Sequence, residues 1–168
     1  MNLRFSRCAI ADFDDYFSLR CEKENTLWTG YQKVPEKNEL YDWFSRQLKR
    51  KDRLFFIVRD EENGSAVGYL YIDILGDNNE IMETGHGVSS KMKGKGIGSA
   101  IIKFAKDYTI EQLKSVKRID GWIASDNIGS IKNVLNNGYH KTKDQKIISF
   151  EGFGQDKIMV RYEYIIEQ

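Results

Sequence analysis

Gly87-Val88-Ser89-Ser90-Lys91-Met92-Lys93-Gly94-Lys95-Gly96-Ile97-Gly98-Ser99-Ala100 is the stretch from which the fold can be read. Gly94, Gly96 and Gly98 carry no Cβ, so successive backbone N–H groups can converge on one anion. Lys91, Lys93 and Lys95 add positive charge. Directly afterwards Ile97, Ala100, Ile101, Phe104, Ala105 and Tyr108 recur at spacings of three and four, which puts one apolar stripe on a helix. The loop therefore feeds a helix N-terminus, whose unpaired N–H groups and partial positive charge favour a phosphate.

Upstream of the loop the pattern is that of strands. Leu54 to Val58 is a continuous apolar run, Ala66 to Leu75 is rich in β-branched and aromatic residues, and Asn63-Gly64 between them predicts a hairpin. Gly76-Asp77-Asn78-Asn79 is a second turn signal and leads into a third strand, Glu80 to Ser89. Before this meander, residues 2–10 read as a first strand, and Asp12 as the cap of a helix carrying Phe13, Tyr16, Phe17 and Leu19. Asn25 to Pro35, with Trp28 and Tyr31 on either side of Gly30, reads as irregular. Pro35 then precedes an amphipathic helix with Leu40, Trp43, Phe44 and Leu48 inward. Downstream, Arg118 to Ala124 predicts a strand, and Asp126-Asn127 caps a short helix whose inner face holds Ile128, Ile131, Val134 and Leu135. Asn137-Gly138 ends that helix, and two last strands, Tyr139 to Phe150 and Lys157 to Ile165, meet at the turn Gly152-Phe153-Gly154.

The 168 residues fit one domain, 1–168, and the 40% hydrophobic and 12% aromatic content supplies a core. With 26 basic against 25 acidic residues the net charge is +1, so no global field points to nucleic acid or an anionic membrane. Cys8, Cys21, His86 and His140 have no metal-ligand spacing, so neither a metal nor a disulfide framework is expected. With no apolar run of membrane-spanning length, the expected location is the cytoplasm.

A P-loop requires lysine and then serine or threonine after its last glycine, whereas Ser99-Ala100 follows Gly98. A dinucleotide fingerprint finds a partial match through Gly96, Ser99 and Asp120, but the upstream hairpins disfavour its parallel sheet. Lys93-Gly94-Lys95-Gly96-Ile97-Gly98 resembles the signature of the GNAT superfamily of acyl-CoA-dependent N-acetyltransferases: Gln or Arg, two residues, Gly, one residue, then Gly or Ala. The resemblance extends back through Glu83 to Val88 and forward to Ser125-Asp126-Asn127-Ile128-Gly129-Ser130 and Asn136-Asn137-Gly138-Tyr139. It implies an α/β (α+β) fold: a mixed, mostly antiparallel sheet of six to seven strands, flanked by about four helices, that splays after the fourth strand.

The resemblance also assigns roles. Lys93, Gly94, Lys95, Gly96, Ile97, Gly98 and Ser99 would hold the pyrophosphate of acetyl-CoA. Gly87 and Val88 would pair with the pantetheine arm, and their N–H groups would polarise the thioester carbonyl. Asn127 stands where the family has a cofactor-contacting asparagine, and is equally a plain helix cap. Lys93 replaces the usual Gln or Arg and keeps the charge without the fork. Val134 occupies the position where many members have a tyrosine acid, so no general acid is assigned; a thiolate, with a pKa of roughly 8.5, leaves with little help.

The reaction so implied is acetyl transfer from acetyl-CoA to a primary amine. Its base is expected at Glu83, with Asp73, His86 and Glu80 behind it, each being equally readable as a satisfied strand-end group. Trp28, Tyr31 and Asp73 are the expected acceptor contacts, and the acceptor is a small-molecule amine or a protein N-terminus. The same motifs leave open a domain that senses acyl-CoA without turnover. Dimers are common among similar proteins, and the late strands, rich in Ile147, Ile148, Phe150, Met159, Val160 and Tyr162, would supply such an interface or, equally, ordinary sheet core.

Overall fold

The computed structural model describes residues 2–29, 31, 33–150 and 154–167. Seven strands form one sheet: β1 (Leu3–Arg7), β2 (Arg53–Asp60), β3 (Ala66–Leu75), β4 (Ile81–Val88), β5 (Arg118–Ala124), β6 (His140–Phe150) and β7 (Gln155–Ile165). Their order is β1-β2-β3-β4-β5-β7-β6, and every neighbouring pair is antiparallel except β4 with β5. A dinucleotide fold needs a run of parallel strands, so that reading lapses. Gly152 and Phe153 of the expected β6–β7 turn, and Gly30, lie outside the described residues.

Five α-helices cover the two faces: α1 (Phe13–Arg20), α2 (Lys23–Trp28), α3 (Lys37–Leu48), α4 (Ile97–Gln112) and α5 (Ile128–Asn136). The run Leu-Phe-Phe-Ile-Val in β2 is continuous because both of its faces are buried. Phe55 and Ile57 join Phe13, Tyr16, Leu40, Phe44 and Tyr69 under α1 and α3, while Phe56 and Val58 join Leu70, Ile101 and Ala105 under α4. The sheet is the partition between two cores.

Three expectations are corrected. The segment read as irregular contains α2, a short helix held from its flanks: Thr26 donates to the carbonyl of Arg20, and Asn25 to that of Leu19. Asp12 does not cap α1 with its side chain; the carboxylate turns back to accept from Ala9 N–H at 2.8 Å and from Arg59 at 2.8 Å. On α5 only Val134 is buried, with Ile131 packed against the core, while Ile128 and Leu135 are 57% and 48% exposed. At roughly 100° per residue those two share a direction about a third of a turn away from Val134.

Candidate functional site

Pairing between β4 and β5 is limited to Ile81↔Arg118, Met82↔Ile119 and Glu83↔Asp120, whereas β3 follows β4 to Gly68↔Val88. From Thr84 onwards the two central strands part. Ser89 N–H donates to Val67 at 2.8 Å, so the odd-numbered residues of β4 exchange hydrogen bonds with β3. Glu80 C=O accepts from Lys117 and Arg118, so the even-numbered residues face β5. The backbone groups of Thr84, His86 and Val88 consequently look into the opening with no strand opposite them. Gly87, expected to share this role, also lines the cleft, but its N–H lies in the ladder with Tyr69. Its lack of a side chain has another cause: a Cβ there would lie 2.5 Å from the Tyr69 ring, and one on Gly85 2.3 Å from the Tyr71 ring.

The parted strands enclose a cleft of about 370 Å³, walled by Thr84–Val88 on one side and by Gly121–Ala124 with Asn127, Ser130 and Asn133 on the other. Beyond Val88 the chain makes a tight turn over Ser90–Met92 and enters the glycine loop. Gly94 and Gly96 have φ of +77° and +79°, with open space where a Cβ would stand. Gly96 caps α4 without a side chain, and the first helical bond is Ala100 N–H to Gly96 C=O, so the amides of Ile97, Gly98 and Ser99 have no carbonyl within the helix. Gly98 differs from its neighbours: it is helical, and a Cβ would press on the Asn133 amide at 2.5 Å. The backbone here fits a diphosphate, and the unpaired edge above it fits an extended amide-bearing arm.

Around the loop the polar side chains are largely spoken for. Lys93 reaches Glu24 at 2.8 Å, and Glu22 accepts from Ser89 Oγ at 2.8 Å and from Ser90 N–H at 2.5 Å. Asn127 accepts from Ser130 N–H at 3.1 Å, the cap bond, while also lining the cleft. Asn137 donates to Ser99 Oγ at 3.0 Å, tying α5 to the first turn of α4. Lys95 is exposed, with its ammonium 3.5 Å from Met92 Sδ.

One register line crosses the sheet as Arg53, Asp73, Glu83, Asp120, Glu163 and His140. Arg53 holds Asp73 through two bonds of 2.6 Å; Arg118 and Arg161 hold Asp120; Arg161 and His140 hold Glu163. Glu83 alone in this line has no hydrogen bond or ion pair among the described residues. Burial raises its pKa, the charges of Asp73 and Asp120 push the same way, and Lys146 opposes them. Glu83 sits at the foot of the cleft, one residue below Thr84, and does not itself line it. Asp73, expected as an acceptor contact, lines neither this cleft nor the hollow beside it. His86 lines the cleft on the face opposite Glu83, and burial pushes its imidazole down to about 4. Val134 is buried. No group of three or more His, Cys, Asp or Glu suited to a metal occurs among the described residues.

Beside the cleft lies a hollow of about 910 Å³ walled by α1, α2, α3 and β3. Trp28, Thr29 and Tyr71 line both spaces. Tyr31 and Trp43 line the hollow; Trp43 also packs on Tyr16 and Phe55. Tyr41 faces elsewhere, edge-on to Phe13 at 5.0 Å. Sequence reasoning missed Arg20, Asn25, Thr29, Tyr71, Trp122 and Asn133. For Arg20 a signal existed: it stands four residues after Tyr16 and seven after Phe13, a charged residue in an apolar stripe. The others project from elements whose mutual placement no local pattern fixes.

The sequence model described as the acetyltransferase (GNAT) family matches residues 16–139. No curated protein matches the chain at a significant level. Among solved structures, the chain is similar to a spermidine N-acetyltransferase from Vibrio cholerae in complex with CoA and spermine, with a TM-score of 0.85, 16% identity, and coverage of 97% of this chain and 95% of that one. It is similar too to an acetyltransferase (GNAT family) from Bacillus anthracis, with a TM-score of 0.83, 14% identity and coverage of 98% and 95%. A third likeness is to a ribosomal-protein-alanine N-acetyltransferase from Brucella melitensis, with a TM-score of 0.78, 18% identity and coverage of 97% and 99%.

Proposed function

The chain belongs to the acetyltransferase (GNAT) family, whose members move acetyl from acetyl-CoA to amines, and from that premise we propose how its own residues divide the work. The observation that carries the reading is the opening of β4 from β5 directly above a glycine loop that ends on a helix N-terminus. Acetyl-CoA supplies an acyl thioester. The amides of Ile97, Gly98 and Ser99, with Lys95 and the two left-handed glycines, Gly94 and Gly96, receive its diphosphate; Lys93 joins them by releasing Glu24. His86 and Val88 offer their edge to the pantetheine amides, and Asn127 contributes from the far wall without giving up its cap.

Val88 N–H is the donor aimed at the thioester oxygen, where charge grows as the amine attacks. Asn25 donates to Val88 C=O at 3.2 Å, which fixes the following peptide, between Val88 and Ser89, and with it the end of the strand. An alkylamine, with a pKa of about 10.4, is deprotonated about one part in a thousand at neutral pH, so proton removal offsets up to ~4 kcal/mol. Glu83 receives that proton through water in the cleft, since it is the one carboxylate of its line left without a cation in contact and lies just below the opening. Asp73, held by Arg53, orients rather than binds.

Trp28, Thr29 and Tyr71, shared by both spaces, form the gate at which the amine meets the thioester; Trp28 and Tyr31 wall the acceptor. The acceptor is a small amine or a protein N-terminus delivered through the hollow of α1, α2 and α3. A dimer would use β6 and β7, where Ile147 and Ile158 stand opposite one another, 72% and 47% exposed.

Thiol release from acetyl-CoA across a panel of polyamines, amino sugars, amino acids and peptides tests the reading. Turnover with at least one amine is expected, and tight CoA binding with no turnover anywhere would sink it. A paired thermal melt gives the quicker answer: CoA at a hundredfold its Kd should add about 2.7 kcal/mol, and NAD nothing.

A further inference from the structure

Arg20 is an anomaly among the arginines. Arg53, Arg59 and Arg161, with side chains 12%, 17% and 14% exposed, each contact a carboxylate at 2.8 Å or less. Arg20 is only 6% exposed, and no carboxylate touches it among the described residues. Its guanidinium has five N–H donors. Nη1 donates to Tyr16 Oη at 3.1 Å, Nη2 makes a long bond of 3.3 Å to Thr29 Oγ1, and Nε is buried with no partner. The Tyr16 ring, 5.9 Å from Arg20 Cζ, adds a cation–π contact, but none of these partners carries a formal negative charge, and a buried cation without a counterion is costly.

Arg20 lines the hollow assigned to the acceptor. Through Thr29 it is one hydrogen bond from the wall shared with the cofactor cleft. Lys33, Glu36 and Glu39, the other charged residues of its wall, are all exposed. The one charge buried in this wall is that of Arg20.

Building on the acetyl-transfer reading above, we infer that the acceptor carries an oxyanion, of the carboxylate kind, close to its reactive amine, and that Arg20 receives it. The unpartnered Nε and the weakly held Nη2 are the adjacent donors with which an arginine grips a carboxylate in two parallel bonds. An amino acid or a phosphorus-oxyanion analogue of one fits; a polyamine brings only cations to a buried cation. A site built to pair with a group discriminates against the analogue that lacks it, because its own polar atoms are then left unpaired.

The test compares an α-amino acid, its primary amide and its decarboxylated amine as acceptors, by thiol release from acetyl-CoA with the wild-type protein, so no variant need fold. The acid should exceed the other two by about ten- to hundredfold in kcat/KM, chiefly through KM. An aminophosphonate in place of the acid separates carboxylate from phosphorus oxyanion; the inference holds if either is preferred. Arg20→Gln, checked for folding by its melt and for intact CoA affinity, should make acid and amide equal, and Arg20→Lys should restore part of the preference. Amide or amine acetylated by the wild type as well as both the acid and the aminophosphonate, or a preference that survives Arg20→Gln, would overturn the inference and leave acetyl transfer standing. Absence of thiol release with every acceptor, despite CoA binding, would remove acetyl transfer and the inference with it.

Discussion

The cleft between β4 and β5 and the hollow beside it share three wall residues but are made of different material. The cleft offers backbone: edge groups of His86 and the N–H of Val88 with no strand opposite them, helix-end amides, and left-handed glycines. The hollow offers side chains from three helices and a strand, with Arg20, Trp28, Tyr31 and Tyr71 foremost. A backbone site is indifferent to most substitutions because every residue carries the same N–H and C=O, so it suits a ligand common to a whole family. A side-chain site changes with each substitution, and so it can set which amine enters. On the function proposed above, the difference places the generality of the cofactor and the individuality of the acceptor in adjacent walls.

Removing the proposed proton acceptor at the foot of the cleft should give the largest effect. Glu83→Gln is expected to lower kcat by about 10²- to 10⁴-fold, with CoA affinity unchanged. Burial raises the Glu83 carboxyl, and the group works only when ionised, so wild-type kcat/KM should climb with pH through a value above the ordinary carboxylate pKa. The same Glu83→Gln change should abolish that limb. Stability runs the other way: a raised carboxyl favours the fold most below its unfolded pKa, and that contribution fades as pH passes the folded value. A variant with an unchanged pH limb would break the link between the foot of the cleft and the chemistry.

Gly87→Ala separates packing from binding. The new methyl meets the Tyr69 ring, buried at 1% exposure, and should cost about 1 to 3 kcal/mol in a thermal melt. CoA titration of the surviving folded protein should change little, because the N–H of Gly87 pairs with β3 and the new methyl points at Tyr69; a large loss of affinity would give that residue a direct part in holding the cofactor. Gly96→Ala reverses the signature. It has room for the methyl but not the φ, so about 1 kcal/mol of strain should distort the cradle and weaken CoA binding about fivefold by calorimetry. Tyr31→Ala, at a residue 59% exposed, should raise acceptor KM only a few-fold and leave CoA untouched. An equal effect on both ligands would mean that the two spaces are not separable.

The same contrast explains how much was legible in the sequence. Glycine spacing and apolar periodicity are local, so the loop, α4 and the strands on either side of it could be placed from residues near to one another in the chain. That β4 and β5 part after Glu83 follows from no local pattern and came only with the family resemblance. Gly85, Gly87 and Gly98 show the limit of reading glycines as ligand approach: two make room for tyrosine rings on β3 and one for Asn133 on α5, contacts between elements far apart in the sequence. Arg20 could have been noticed as a charge on an apolar stripe, but its lack of a counterion is a property of the assembled molecule.

The parting of β4 from β5 also gives the sheet an inner rim. An ordinary sheet has two edges, each able to recruit a strand from another molecule. Here a third stretch of bare backbone lies inside the molecule, and α2 stands over its end, with Asn25 occupying the carbonyl of Val88 and Glu22 bound to Ser89 and Ser90. Those polar bonds act as a stopper on the rim. The short helix thereby closes the end of a rim that would otherwise be open to a further strand.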